Sequence, residues 1–274
     1  MPLTAVAIAL GAAVVHALWN LVVARSRDRQ AVTAVAIAVG VIAAAPFAIL
    51  RWHVEPEAWL FITVSSILEL IYFWLLTTAY GRAEMSLVYP IARGTAPVIV
   101  LLVSVFALGT GTTLGQAVGV GLVGLGVVLV RGLRGAARWS DVTMALAVAG
   151  SIAAYTLVDK EGVRYADPIT YVFLILITPA IASLAFIYSR GGMDRIRGAF
   201  GVATVAAGVG TVAAYGLVLV ALTMAPAASV AAVREVSVVF ATALGALVLK
   251  EQVGPARVAG AVVVVAGVAL IVAG

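Results

Sequence analysis

The chain consists almost entirely of long apolar stretches separated by short polar segments. About ten stretches follow one another, each roughly the 20 residues that a helix needs to cross the hydrocarbon core of a bilayer. They are too long and too continuous for the strands of a membrane barrel, which alternate polar and apolar residues. The pattern predicts an all-helical membrane protein with ten spans, at 3–24, 31–50, 58–80, 85–108, 112–130, 142–158, 168–189, 199–223, 227–249 and 254–273.

The longest polar segment, 131–141, divides the chain into two halves of five spans. We predict two repeats, 1–132 and 133–274. An odd number of spans in each repeat makes the second insert upside down, and inverted repeats are typical of secondary transporters, whose site lies between the repeats near the midplane. A shift of 141 positions superposes an arginine and two glycines of the first half on the same residue types in the second: Arg93 on Arg234, Gly119 on Gly260 and Gly126 on Gly267.

Composition narrows the function classes. The chain is 64% hydrophobic and only 11% charged, with a mean hydropathy of +1.18, which leaves no room for a soluble domain. There is no cysteine, so thiolate chemistry and disulfides are excluded, and we expect no metal and no cofactor. The net charge of +5 is explained by loop arginines that set membrane orientation, so a nucleic-acid partner is not expected. No enzyme motif is present.

Several segments resemble the ten-helix EamA-type members of the drug/metabolite transporter superfamily. They are 16–20 in the first span with its counterpart 155–159 in the sixth, 89–97 in the fourth, 234–237 in the ninth, and 249–251 before a glycine-bearing last helix. Thr110 stands in the first repeat where Glu251 has its counterpart, which is a departure. The resemblance implies a multi-pass transporter. It does not identify the substrate, because family members carry amino acids, nucleosides, sugar phosphates, nucleotide sugars or cationic drugs.

Arg93 and Arg234 are the strongest candidates for substrate binding. An arginine at bilayer depth is costly unless it is paired or hydrated. The pair can face a central cavity and bind a carboxylate or phosphate, or each can neutralise Glu235 or Glu69. The surroundings favour different roles. Arg93 lies near Pro90 and Pro97, which can loosen the helix or act as a hinge, so we expect it to face substrate, and we expect Arg234 to be held in a structural pair.

The remaining polar residues within the spans suggest a proton-coupled site. Glu69 lies mid-span on an aromatic face, and both it and Glu235 can carry a proton or pair with an arginine. His16 can also titrate, or can simply bond another helix, and it shares a face with Trp19 and Asn20. Tyr155 and Asp159 share a face of the sixth span, and Asp159, Lys160 and Glu161 are expected at the membrane interface. The full set of candidates adds the tyrosines of the other spans, so that substrate binding is assigned to Arg93, Arg234, Trp19, Asn20, Tyr72, Tyr89, Tyr155 and Tyr215, and proton coupling to Glu69, Glu235 and His16.

The loop charges predict the orientation. Eleven Lys and Arg residues follow odd-numbered spans and three follow even-numbered ones, which places both termini outside the cytoplasm. Relatives of this family usually have both termini inside, so the two arguments disagree.

We therefore expect a secondary transporter in a bacterial inner membrane that exports or exchanges a small polar metabolite by alternating access. The arginines favour a substrate with a carboxylate, such as an amino acid. Three alternatives remain: a proton-coupled exporter of cationic drugs, a translocase for a lipid-linked phosphate, and a membrane subunit that does not transport. The sequence sets neither the coupling ion nor the oligomeric state.

Overall fold

The structure, a computed structural model, describes residues 1–82, 85–131, 138–248 and 254–274. Within these residues all regular secondary structure is helical, apart from one isolated pairing between Val54 and Ala166. The helices are α1 Leu3–Ala24, α2 Arg29–Leu50, α3 Ala58–Arg82, α4 Met85–Phe106, α5 Leu114–Arg131, α6 Trp139–Gly162, α7 Pro168–Ala199, α8 Val202–Met224, α9 Ala227–Arg234, α10 Ser237–Val248 and α11 Pro255–Ala273.

The ten predicted spans correspond to these helices, with α9 and α10 together forming the ninth. Eight spans are long and apolar enough to cross a bilayer, and shorter apolar helices at Ile91–Phe106 and Leu114–Val130 account for the fourth and fifth. The prediction was wrong in three places. Helix α6 continues to Gly162, α7 continues to Ala199 with a kink at Gly192, and the ninth span is broken. The kink has φ of 66°, a conformation that glycine adopts without strain.

The two halves pack as inverted repeats. Helices α1 to α5 correspond in order to α6, α7, α8, the α9–α10 pair and α11. The main helix pairs across the halves have their counterparts after this exchange: α3 and α4 pack on α6, while α8 and the α9–α10 pair pack on α1. Helices α2 and α7 pack on each other, as do α5 and α11. The predicted boundary after residue 132 lies outside the described residues and stays a prediction.

The crossing of α5 and α11 shows the two-fold relation most clearly. A Cβ atom at Gly119 would lie 2.6 Å from the carbonyl oxygen of Gly267, and one at Gly260 would lie 2.7 Å from that of Gly126. Exchanging the halves by 141 positions turns the first contact into the second. The glycines matched in sequence therefore let the two antiparallel helices touch through their backbones at two equivalent points.

Helices α2 and α7 are joined at both ends by equivalent ion pairs. Asp28 caps the start of α2, and its carboxylate accepts two hydrogen bonds from Arg195 in the last part of α7, at 2.5 and 3.0 Å. Asp167 caps the start of α7, and its carboxylate accepts from Arg51 just after α2 at 3.1 Å. Each aspartate therefore satisfies the free N–H groups of its own helix and also holds the end of its antiparallel neighbour.

The helices alternate in direction, so the ten crossings bring both termini to one face, called here the termini face. The opposite face is called the arginine-rich face, because the loops and helix ends there hold most of the loop arginines in the described residues: Arg25, Arg27, Arg29, Arg138, Arg190, Arg195, Arg197 and Arg257. The asymmetry agrees with the sequence count. The side of the membrane that each face meets stays a prediction.

Candidate functional site

The ninth span breaks where its charged residues lie. Helix α9 ends at Arg234, and α10 begins three residues later. At the break, the N–H of Glu235 donates to the carbonyl of Ala232 and that of Val236 to Val233, so the chain turns more tightly than an α-helix. Among the eight described helices long enough to cross a bilayer, the Ala227–Leu244 region has the largest buried share, 71% of its positions. The break therefore places Arg234 and Glu235 in the centre of the bundle.

Two arginines share one carboxylate at this break. Glu235, whose side chain is 1% exposed, lies with Oε2 3.1 Å from Arg93 Nε and with Oε1 3.9 Å from Arg234 Nε. Both arginines are more than nine-tenths buried. The arrangement, called here the arginine–glutamate triad, joins α4 of the first half to α9 and the turn after it in the second. It carries one net positive charge when all three groups are ionised.

The ion-pair geometry differs from the expectation for the two arginines. The sequence favoured a fixed structural pair at Arg234 and an open site at Arg93, yet the shorter ion pair is made by Arg93. The reason is geometric. Arg234 and Glu235 are neighbours in the chain and diverge in direction, whereas α4 presents Arg93 directly to the carboxylate at the break. Arg234 Nε has no hydrogen-bond partner among the described residues.

A second group of polar side chains joins α3, α6 and α8. The hydroxyl oxygen of Tyr215 lies 2.7 Å from Asp159 Oδ2 and 3.0 Å from Glu69 Oε1. Ser65 donates from its hydroxyl to Asp159 Oδ1 at 2.5 Å. Asp159 is 1% exposed and Glu69 is 4% exposed. These four residues are called here the carboxyl–tyrosine cluster.

Asp159 is buried in this cluster, whereas the sequence predicts it at the membrane interface. The sixth span was predicted to end at residue 158, whereas α6 continues for another turn and buries Asp159. Its neighbours behave differently. Lys160 donates to the carbonyls of Leu222 and Ala225 at the end of α8, and Glu161 forms an exposed ion pair with Arg164. Only one of the three consecutive charged residues therefore belongs to the core.

Two sequence signals could have found the cluster. Ser65 and Glu69 are four residues apart on α3, and Tyr155 and Asp159 are four apart on α6, so each pair shares a helix face. The charges of Lys160 and Glu161 beside the second pair indicate the end of the span, which hides its burial. Ser65 gives no distinct signal, because a serine in a membrane helix most often bonds its own backbone.

Tyrosine rings connect the two groups. Tyr155 lies with its ring 6.3 Å from that of Tyr215 and 5.9 Å from that of Tyr72. Its hydroxyl hydrogen-bonds the Arg234 side chain and is also subject to the charge of Glu69. Tyr155 therefore stands between the carboxyl–tyrosine cluster and the arginine–glutamate triad.

The predicted first-span residues lie beside the triad. The His16 ring is subject to the charges of both arginines and packs edge-on against Trp19 at 5.0 Å. The indole N–H of Trp19 is buried and has no hydrogen-bond partner within the described part of the chain. Asn20 instead donates to the carbonyl of His16 in its own helix at 2.7 Å. Trp19 is thus a second buried donor available at the centre.

The predicted hinge lies in α4. Pro97 is buried there, and the helix is continuous through both prolines. The side chains of Tyr89 and Pro90 fall outside the described residues, so their assignments remain predictions. In the equivalent position of the second half, the chain breaks without a proline.

A cavity of about 250 Å³ opens at the termini face between α4, α5, α6 and α9. Ser104, Gln116 and Lys160 contribute polar groups to its wall, and Ala227 to Ser229 form part of the lining. None of the predicted site residues lines it. Arg234 lies at the other end of α9, about 10 Å deeper along the helix at 1.5 Å per residue.

Comparison with known proteins agrees with this architecture. The EamA-like transporter family matches residues 3–132 and 139–273, which are the two halves of the bundle. A solved structure, described only as a crystal structure of a protein, has a TM-score of 0.80 over 98% of this chain and 98% of its own, at 16% identity, which shows a shared fold. Among curated proteins there is no match. The chain belongs to the EamA-like transporter family, within the drug/metabolite transporter superfamily, and is a multi-pass membrane protein.

Proposed function

We propose that this chain is a secondary active transporter of a small metabolite with a carboxylate, best fitted by an amino acid, in a bacterial cell membrane. One observation carries the proposal. Arg234 is more than nine-tenths buried, and its one ion-pair partner among the described residues is a carboxylate 3.9 Å away that Arg93 holds more closely. The Arg234 guanidinium also hydrogen-bonds Tyr155, but its Nε has no hydrogen-bond partner within the described residues. A guanidinium with a donor left over in a dry site binds a substrate carboxylate strongly, because its fork of N–H groups matches the two oxygens.

The groups opposite Arg234 favour an amino acid over a simple anion. Asp159 and Glu69 lie on the other side of Tyr155, and both are subject to the charge of Arg234. A zwitterion set between them places its carboxylate on Arg234 and its ammonium near the carboxyl–tyrosine cluster. The indole N–H of Trp19 offers a further donor. Such a substrate adds no net charge to a buried site, which lowers the cost of binding.

The proposed route runs along α9. The cavity at the termini face is lined by the first residues of this helix, and Arg234 ends it. Movement of one half against the other then opens the centre to the arginine-rich face. The glycine crossings and the paired helices α2 and α7 provide the rigid surfaces about which the halves can move.

A thermal-shift experiment tests the proposal. The wild-type protein, Arg234→Gln and Arg27→Gln are melted with each standard L-amino acid, its methyl ester and its decarboxylated amine. A ligand at about 100 times its Kd stabilises the folded state by about 2.7 kcal/mol. We expect an amino acid to stabilise the wild type and the exposed-loop control Arg27→Gln, and its ester and amine to fail. Equal stabilisation of Arg234→Gln overturns the assignment.

The export of cationic drugs is a second candidate, favoured by one observation. Asp159 and Glu69 are buried carboxyl groups that both hydrogen-bond the Tyr215 hydroxyl, an arrangement that suits a lipophilic cation. Tetraphenylphosphonium is the probe. Stabilisation of the wild type by this cation, lost in Asp159→Asn and kept in Arg234→Gln, would favour the drug exporter over the amino-acid transporter.

A further inference from the structure

The Tyr215 hydroxyl lies within hydrogen-bond distance of two carboxyl groups at once. A phenol has one proton and can donate it to only one acceptor. The distances of 2.7 Å to Asp159 and 3.0 Å to Glu69 leave no room for two ionised carboxylates to share that single proton. One of the carboxyl groups must therefore be protonated and donate its own hydrogen bond to the tyrosine oxygen.

The hydrogen bonds identify which carboxyl group holds the proton. Asp159 accepts from the Ser65 hydroxyl at its other oxygen, so it receives two donors, as a carboxylate does. Among the described residues, Glu69 has only the Tyr215 hydroxyl as a hydrogen-bond partner. The chain of donors thus runs from Glu69 to Tyr215 to Asp159, with the second donor to Asp159 coming from Ser65.

The charge balance of the core gives the same count by a separate route. The buried ionised groups of the arginine–glutamate triad sum to one positive charge. Adding Asp159 and Glu69 as carboxylates would give the core one net negative charge, whereas one proton on the pair makes it neutral. A buried net charge is costly in a bilayer. Both arguments therefore give one proton, with His16 counted as neutral.

We propose that Glu69, Tyr215 and Asp159 form a binding site for a single proton, with the proton on Glu69 and the charge on Asp159. The site lies between the halves, because α3 belongs to the first repeat and α6 and α8 to the second. When the proton leaves Glu69, its O–H bond breaks, the proton passes to water, and two carboxylates face each other across Tyr215. Their repulsion pushes α3 of the first repeat away from α6 and α8 of the second repeat.

The role of this site in coupling protons to transport rests on the proposed function, but the site itself does not. Any pH dependence reflects all the titratable and charged groups that face it. From the helices packed around the cluster, these are Tyr72 on α3, Tyr155 on α6, Tyr171 on α7, Arg93 on α4, Arg234 and Glu235 at the end of α9, and His16 on α1.

Infrared spectroscopy of the purified protein tests the proton site without any substrate. A protonated carboxylic acid has a carbonyl band that a carboxylate lacks. We expect this band in the wild type and in the exposed-loop control Glu57→Gln, and we expect it to be absent from Glu69→Gln. The glutamine keeps a donor for the Tyr215 oxygen, so the variant is expected to fold. An unchanged band in Glu69→Gln, or no band in the wild type, overturns the proposal.

Two further measurements separate this site from a structural role. In Tyr215→Phe the acid loses its acceptor, so its band moves to the higher frequency of a weakly bonded acid; an unmoved band contradicts the assigned bond. In proteoliposomes, Glu69→Gln is expected to exchange substrate at equal pH but to lose the accumulation that a pH gradient drives. Loss of the infrared band together with gradient-driven accumulation at the wild-type level would refute coupling while leaving the substrate site intact.

Discussion

Removing the charges of the arginine–glutamate triad one at a time should destabilise the protein in a defined order. Glu235 pairs with Arg93 at 3.1 Å and with Arg234 at 3.9 Å, and all three side chains are at least nine-tenths buried. Charges about 4 Å apart attract by about 4 kcal/mol at an effective dielectric constant of about 20. Breaking a buried pair by removing one partner costs about 3–5 kcal/mol, because the other charge is left without compensation.

The shared carboxylate sets the order. Glu235→Gln leaves two arginines facing each other and should cost the upper end of that range, about 5 kcal/mol. Arg93→Gln leaves Glu235 with the more distant arginine, so it should cost about 3 kcal/mol. Arg234→Gln keeps the closer Arg93–Glu235 pair and leaves no charge of the triad unpaired, so it should cost least, well under about 3 kcal/mol.

The unfolding free energy of the three variants in detergent micelles measures this order. The double variant Arg93→Gln/Glu235→Gln is the control. It should be less destabilised than the sum of its two single changes, because each single change already breaks the same pair. If Arg234→Gln is the least stable of the three, or if the two changes at Arg93 and Glu235 add without coupling, the reasoning about the pair is refuted.

Three further predictions concern the periphery of the bundle. The Arg195 guanidinium that hydrogen-bonds Asp28 holds the pKa of that carboxyl below its usual range. The stability advantage of the wild type over Asp28→Asn should therefore be complete at neutral pH and should fade below about pH 4, as Asp28 takes up a proton. A stability advantage that stays constant in acid would contradict this. At the α5–α11 crossing, Gly126→Val should cost about 1–3 kcal/mol, because a Cβ there would lie 2.8 Å from the carbonyl oxygen of Gly260, while Gly121→Val, with open space around its Cβ, should be neutral in a melting assay. A C-terminal reporter that fluoresces only in the cytoplasm should stay dark, and a bright signal would show the opposite orientation.

Helix positions could be predicted because membrane spans are set by length and apolarity, which are local properties. The first span was predicted to its ends, and most others to within a few residues. The helix break at Glu235 and Val236 could not be predicted, because no glycine or proline marks it. It lies where Glu235 meets the two buried arginines.

The candidate site was harder to predict, because its contacts join distant parts of the chain. The periodicity around Glu69 and the matched arginines pointed to the core, but no sequence pattern tells which arginine meets Glu235 or that Tyr215 lies between two carboxyl groups. Asp159 was misplaced because the charges of Lys160 and Glu161 suggested that the span had ended. Depth in the bundle, unlike span length, is a tertiary property.

Counterflow in proteoliposomes tests the central proposal most directly. Vesicles with purified protein are loaded with an unlabelled amino acid identified by the thermal-shift screen, and uptake of the labelled form is followed at equal pH. Secondary transport through Arg234 predicts transient accumulation by the wild type and by Arg27→Gln, and none by Arg234→Gln. Wild-type accumulation by Arg234→Gln would contradict the assignment of this buried arginine as the substrate-binding charge.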